Sequence, residues 1–464
     1  MAKRKSVGEP DPVERIKKPR TGVASPQQKC PFLDTVNRKV LDFDFEHRCS
    51  TTLSFNNVYS CLVCGVFFQG KSNGSPAYSH SVQTGHAVYM ELKTAKVYCL
   101  PDNYPVDDPA LQDVVGALLP RLSAREIENV PKSRTRIVDT HGKTFLPGYV
   151  GLNNLKCTDY VNAMVQVLAR VEPLRRYFLD ASIFDDQTPV LVDAFGKLLR
   201  RMFNPRNLKS TVDPHKFVQA VSTCSKKRFE IGKLGSVIDL FTWFLGLMNR
   251  RLTKNMKSKV IKKHFQGTVQ VTDLAENLGA DGLQGSSVKE VPFFYLTVDL
   301  PKTTGLFSDG RKGVLGQFLL EDLLKKFDGE TVSVVASKQS VAKKKYAITK
   351  SPPYLLLHVQ RFTKNNFFVE KNNSIVKFPI AGLHFHNSEY DLLASVVHTL
   401  PDGVKIGEDP SGGHDIGSYK VHVQHEGDDK TFWMEIEDLR VTKIMPQLVS
   451  LAETSILLYK KRHE

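Results

Sequence analysis

Apolar residues recur at helical spacing in the first part of the chain and in strand-like runs in the last part. Residues 108–119 put Leu111, Val114, Val115, Leu118 and Leu119 on one face behind Asp108-Pro109, which predicts a helix with its start signal. Behind a turn-like stretch at 151–158, Ala163, Met164, Val167 and Leu168 repeat the pattern, with Thr158 or Asp159 placed to cap the helix. Residues 236–249 give a third helix carrying Trp243, Phe244 and Leu247, and a basic run follows at 254–263. Later segments, 290–300 and 354–362, are rich in β-branched and aromatic residues and read as strands. No repeats occur. Helices early and strands late in the larger unit predict an α+β domain.

Length sharpens this picture. A chain of 464 residues exceeds one ordinary domain, so two folded units, or one large unit with an appendage, are expected. The expected boundaries are a tail at 1–29, a compact unit at 30–120, a polar connector at 121–147 and a large domain at 148–464. The connector contains Ser123-x-x-Glu126, a capping-box pattern. With 41% hydrophobic and 24% charged residues the composition is that of a globular chain. The richest apolar run, Pro353-Tyr354-Leu355-Leu356-Leu357-His358-Val359, is too short to span a bilayer. The start of the chain has no apolar signal core, so an intracellular protein without membrane attachment is expected.

The net charge of +15 points to acidic partners, nucleic acid among them. The tail accounts for part of it, with eight Lys/Arg against three Asp/Glu and too few apolar residues to offset the entropy of ordering. It is expected to be disordered. Its clusters Lys3-Arg4-Lys5 and Arg15 to Arg20, with Lys17-Lys18-Pro19-Arg20, resemble a bipartite nuclear localisation signal, which implies the nucleus.

Seven cysteines, five of them in the first hundred residues, suggest a local metal site rather than a disulfide framework. Cys61-Leu62-Val63-Cys64 is followed by His80 and His86. Two thiolates on a knuckle and two neutral imidazoles make the tetrahedral donor set that zinc prefers, so one Zn2+ is expected on Cys61, Cys64, His80 and His86. The spacing resembles the zinc-finger ubiquitin-binding (UBP) domain of deubiquitinating enzymes. Fuller members of that family hold three zincs. The resemblance implies that Cys49 is left from a second ligand set, and Cys30 and Cys99 from a third. The family's Cys-Gly-Arg, whose arginine helps hold the free ubiquitin C-terminus, is replaced by Gln69-Gly70-Lys71. That argues against ubiquitin binding and for a protein-docking module.

Gly151-Leu152-Asn153-Asn154-Leu155-Lys156-Cys157-Thr158-Asp159-Tyr160-Val161-Asn162 resembles the cysteine box of ubiquitin-specific proteases. The resemblance implies a papain-like fold, peptidase C19-like, with Asn154 at the oxyanion-hole position and Asp159 where the nucleophile stands. Leu355 to Phe362 resembles the family's Leu-Lys-Arg-Phe strand, and 390–398 the strand before its catalytic histidine. The histidine's Gly-His-Tyr reads Gly417-Ser418-Tyr419 here, and Glu437 takes the place of the orienting Asp or Asn. An aspartate held ionised at a helix N-terminus is a poor nucleophile toward an amide, and a serine at 418 cannot act as a base near pH 7. No catalytic residue is therefore expected. The competing expectations are an active deubiquitinase in which Cys157 pairs with His414, a ubiquitin-binding adaptor, or a cation held by Asp159, Ser418 and Glu437. The family's fingers normally carry two Cys-x-x-Cys pairs, and none occurs between Phe265 and Ser351, so no zinc is expected there.

The runs 362–372, 99–104 and 204–207 resemble the inactive ubiquitin-specific peptidase 39 group. That resemblance implies a non-catalytic spliceosomal scaffold for pre-mRNA splicing, stabilising or assembling the tri-snRNP through its proteins, its RNA helicase included. Arg361, Lys364 and Lys371 beside Phe362, Phe367 and Phe368 could form an RNA-stacking surface for snRNA. Alternation along a strand favours instead a hairpin with its aromatic residues in the core.

Overall fold

The computed structural model describes residues 30–44, 46–274, 287–301, 316–336, 341–364, 369–399, 417–425 and 431–462. The basic tail, His414 with Asp415, and Phe367 with Phe368 lie outside them. No described helix is long and apolar enough to cross a membrane.

The first unit is built on an antiparallel sheet in the order Phe67–Gln69, Val58–Cys61, Val88–Glu91, Val97–Cys99, Tyr104–Val106. The helix Pro76–Thr84 stands against this sheet and ends at Gly85, whose φ of 75° supplies the left-handed cap. Asp108 caps the turn Pro109–Leu111 by accepting the Ala110 N–H at 2.9 Å, and Gln112–Leu118 continues it with Leu111, Val114 and Leu118 buried. In the connector, Ser123 and Glu126 form the expected capping box of the helix Ala124–Asn129.

The larger unit begins with helices. Asp159–Leu168 is buried along its whole length, between the helix Val237–Met256 and the strand Ser418–His425. Around it lie Glu172–Leu179, Val190–Met202 and His215–Cys224. The main sheet runs Leu296–Asp299, Tyr354–Gln360, Thr454–Lys461, Ser388–Thr399, Ser418–His425, Phe432–Glu437, Arg440–Ile444, with Leu383–Phe385 paired beside Ser388–Thr399. Only the Leu296–Asp299 and Tyr354–Gln360 pairing in it is parallel. A second sheet, Ser287–Phe293, Gly267–Leu274, Val341–Lys350 and Asp328–Ala336, is antiparallel throughout.

The single strand expected over 290–300 is in fact two, one in each sheet. The break falls at Phe294 and Tyr295, whose rings pack on the helical core while the chain crosses between sheets. The strand expected over 354–362 also ends early, at Gln360. Arg361 turns inward there and is 0% exposed, its guanidinium donating to the carbonyls of Thr454, Asn372 and Ser374.

The two units share an interface. Leu208 of the larger unit joins the core of the first, Arg201 pairs with Asp44 at 2.6 Å, and Lys209 pairs with Asp42. Asn204 donates to the Gly116 carbonyl at 2.9 Å.

Candidate functional site

Two places draw the sequence-predicted residues together. In the first unit, Cys61 ends a strand and Cys64 sits on the turn after it. That turn closes through the Gly65 N–H to the Cys61 carbonyl at 2.8 Å, with Gly65 at φ 79°. Any Cβ at residue 65 would lie 2.4 Å from the Val40 carbonyl oxygen. His80 comes from the helix and His86 from just past its cap. Cys61 Sγ lies 3.6 Å from His86 Nδ1, Cys64 Sγ 3.5 Å from His80 Nε2, and the two ring nitrogens 3.2 Å apart.

These separations fit a metal. Bonds of about 2.3 Å to sulfur and about 2.0–2.1 Å to nitrogen in a tetrahedron give edges of roughly 3.5 Å for S···N and roughly 3.3 Å for N···N. All four donor atoms lie within 4.8 Å of one another, and this is the one such group of His, Cys, Asp and Glu among the described residues. Burial pushes the Cys61 thiol up to about 11, so a thiolate there needs a cation beside it.

The other finger cysteines are tied into hydrogen bonds. Cys49 Sγ accepts the N–H groups of Thr52 at 3.4 Å and Gln69 at 3.2 Å, and Thr52 Oγ1 donates to Gln69 Oε1 at 2.8 Å. Cys30 and Cys99 are both buried, and burial pushes the Cys99 thiol up to about 11. The Gln69-Gly70-Lys71 replacement is also occupied internally. Gln69 serves Cys49, and the Lys71 ammonium sits 3.3 Å from the centroid of the Tyr98 ring.

The second place is the cleft between the helix Asp159–Leu168 and the main sheet. Gly151 is required at its floor, because a Cβ would lie 2.6 Å from Leu439 Cα. Gly417 is required at its wall, because a Cβ would meet the Thr399 carbonyl oxygen at 2.4 Å. Lys156 and Cys157 enter the helix at φ 67° and 55°, left-handed values that strain both side chains. Cys157 lies before the N-cap Thr158, outside the first helical turn.

Neither Thr158 nor Asp159 caps the helix in the way the sequence suggests. Thr158 makes no side-chain cap bond; its hydroxyl accepts the Leu155 N–H at 2.8 Å instead. Asp159 is the first helical residue, 6% exposed, and its carboxylate reaches across the cleft to accept the Tyr419 N–H at 2.8 Å. Its pKa moves opposite to the direction that a helix N-terminus alone would impose. Burial raises its pKa, the Asp438 charge adds to the rise, and the Tyr419, Asp159 and Tyr160 amides only partly offset it.

Ser418 lies 3.1 Å from the Thr399 hydroxyl and donates to Glu437 Oε1 at 3.5 Å. Asn154, at the oxyanion-hole position, donates instead to Asp438 Oδ2 at 2.9 Å, and Asn162 donates to Asp438 Oδ1 at 2.9 Å. Asp438 is the residue that sequence reasoning missed. Its only signal was adjacency to Glu437, and its grip depends on a contact across 284 residues.

Arg361 and Lys371 do not form the RNA-stacking surface that is the less favoured reading of this stretch. Arg361 is buried, and Lys371, with a 3% exposed side chain, donates to the His398 carbonyl at 2.8 Å and to Glu453 at 2.5 Å. Phe362 is half-buried, edge-on to His398. Two of the three cations are therefore internal.

Comparison with known proteins places these observations. Residues 150–459 match the model of the ubiquitin carboxyl-terminal hydrolase family, and residues 47–111 match the zinc finger found in ubiquitin hydrolases and other proteins. That finger family binds zinc, and the Cys/His cluster described above is able to hold a metal ion. Ubiquitin carboxyl-terminal hydrolase 39 of Homo sapiens is 41% identical, over 93% of this chain and 80% of its own length. The probable mRNA-splicing protein ubp10 of Schizosaccharomyces pombe is 31% identical, over 93% of this chain and 88% of its own. The pre-mRNA-splicing factor SAD1 of Saccharomyces cerevisiae is 28% identical, over 97% and 96%.

Among solved structures, an essential yeast splicing factor superposes with a TM-score of 0.74 at 25% identity, covering 93% of this chain and all of that one. A chain of the SAGA DUB module Ubp8/Sgf11/Sus1/Sgf73 bound to monoubiquitin, at 17% identity, TM-score 0.51 and 91% coverage of both chains, shares the fold. The chain belongs to the ubiquitin carboxyl-terminal hydrolase family, carries that family's zinc finger ahead of the hydrolase fold, and is similar within it to the ubiquitin-specific peptidase 39 group.

Proposed function

We propose that this protein is a non-catalytic pre-mRNA splicing factor of the nucleus. It uses the hydrolase fold as a scaffold that assembles or stabilises the tri-snRNP through protein contacts, its RNA helicase among them. The observation that carries this reading is the near full-length similarity to proteins named as splicing factors. The chemistry of the cleft supports it. Position 159 offers a buried carboxylate instead of a thiolate, position 418 a hydroxyl instead of an imidazole, and Asn154 is already bound to Asp438. In the finger, one Zn2+ is held by Cys61, Cys64, His80 and His86, organising residues 30–120 as a docking module. Residues 121–147 then connect it to the scaffold domain at 148–464.

The test is affinity purification of the full chain from nuclear extract, with identification of co-purifying proteins and RNAs. Recovery of tri-snRNP components is expected. Their absence sinks the proposal.

A further inference from the structure

One strongly charged surface serves neither the finger nor the cleft. From Arg250 through Thr272 the sequence has seven Lys/Arg residues and no Asp or Glu. The structure folds part of this run around a hollow of about 350 Å³ lined by Lys259, Lys262, Lys263, Gln266, Thr268 and Lys350. Three of the lysines come from the helix Val260–Phe265 and the residue before it, and burial of Ile261 and Phe265 fixes which face they present. The fourth arrives by strand register, since Lys350 pairs directly with Thr268. All four lysines are exposed, and among the described residues none of them forms an ion pair.

An ordinary solvated face does not account for this arrangement. Surfaces that serve solubility intersperse both signs, and like charges three and four residues apart on a helix cost a few tenths of a kcal/mol per pair. Lys262 and Lys263 gain something from the helix C-terminus, but Lys259 precedes the helix and Lys350 is on a strand, so neither does. Lys257, which follows the long helix, holds φ 53°, a left-handed cap that glycine fills at less cost. Conformational and electrostatic stability is conceded here, and positive charge is what is kept.

We propose that this hollow binds the phosphodiester backbone of an RNA strand. Its lining is four point charges and two neutral hydrogen-bonding side chains, which suits phosphate and sugar oxygens. It has no aromatic platform or arginine fork, so contact is without base readout. An acidic peptide is the less suitable occupant, because specific peptide docking relies on a buried apolar anchor and none lines the hollow. Glu128, Glu172 and Asp180 line the neighbouring hollow that Lys263 borders, and they repel the strand on that side. The inference is independent of the splicing reading, which the purification experiment decides on its own.

The test uses the full chain and a labelled, mixed-sequence single-stranded RNA of about twenty nucleotides, with binding followed by fluorescence anisotropy across a salt series. The quadruple variant K259Q/K262Q/K263Q/K350Q is compared with a control, K93Q/K96Q/K132Q/K377Q, that removes the same charge from other exposed sites. Thermal melting confirms that both remain folded. At roughly 0.7 of slope per phosphate contact on a single strand, the first variant lowers the slope of log K against log salt by about 3, and affinity near 0.1 M salt by about tenfold or more. The control keeps most of the wild-type slope. Equal losses in the two variants overturn the proposal. So does a polyglutamate peptide whose binding falls in the first variant while RNA binding does not, an outcome that assigns the hollow to acidic protein.

Discussion

The finger and the cleft descend from sites of similar chemical ambition, and the structure treats them oppositely. In the finger, Cys61, Cys64, His80 and His86 converge at metal-ligand separations, and the Val63 and Cys64 amides that approach the Cys61 sulfur favour its thiolate. In the cleft, the side chains at and beside the catalytic positions are engaged by neighbours: Asp159 by the Tyr419 amide, the Asn154 and Asn162 amide groups by Asp438, Ser418 by Thr399 and Glu437. Cys49 follows the cleft, its sulfur taken up by the Thr52 and Gln69 amides. The difference teaches a simple physical rule. A buried polar group that has lost its external partner must find an internal one, and a site kept for a metal aims its donors at one shared point.

The largest effect that sharpens this contrast is in the finger. Cys61→Ser or His86→Ala removes one of four zinc ligands, and because apparent zinc-binding energies of structural fingers are on the order of 10 kcal/mol, the finger is expected to lose its metal and unfold. Zinc analysis by mass spectrometry together with circular dichroism checks this. Retained zinc and an unchanged melt would break the comparison at its finger end.

The next effect is set by pH. Burial holds the His398 imidazole down to about 4 against an ordinary 6.5, and His398 is 0% exposed. The folded chain therefore binds this proton less readily than the unfolded one. The stability that follows is complete above pH 6.5 and is lost as pH falls through about 4, to the extent of roughly 3 kcal/mol. Denaturant unfolding at several pH values should show the decline, and His398→Leu should make it shallower by that amount, leaving the parts contributed by His47 and His358, which burial also holds down to about 4.

A somewhat smaller loss, about 2 kcal/mol, is expected for Asp438→Ala, which takes the carboxylate acceptor from Asn154 and from Asn162, the latter keeping only its longer bonds to the Leu152 and Asn153 carbonyls. Its chemical readout is as informative as its melt. Freeing Asn154 restores a potential oxyanion donor, yet no hydrolysis of a ubiquitin-amide substrate should appear, because no thiolate or base is added. The smallest effect has the opposite sign. Lys156→Gly relieves a left-handed residue and should stabilise the chain by about 1 kcal/mol in the same unfolding experiment.

What the sequence makes legible follows how local each feature is. The convergence of the four finger side chains, the Asp108 cap and the Ser123–Glu126 box are all encoded within a few turns of chain, and spacing suffices to read them. Helical Asp159–Leu168 was readable from its apolar period. The role of Asp159 was not, because the amide it serves belongs to a strand 260 residues away and its pKa is raised chiefly by burial. The same limit applies to Arg361 and Lys371. In sequence they stand beside phenylalanines as a cationic surface, and only the fold reveals that backbone carbonyls and Glu453 draw them inward. The break at Phe294 likewise depends on which sheet each half of the segment joins.

The central claim, that this hydrolase fold has been kept for binding and not for cleavage, is tested most directly by a ubiquitin probe bearing a C-terminal electrophile. Incubation with the full chain and intact-mass spectrometry should give no adduct. A covalent adduct mapped to Cys157, the only cysteine of the segment that resembles the cysteine box, would contradict it.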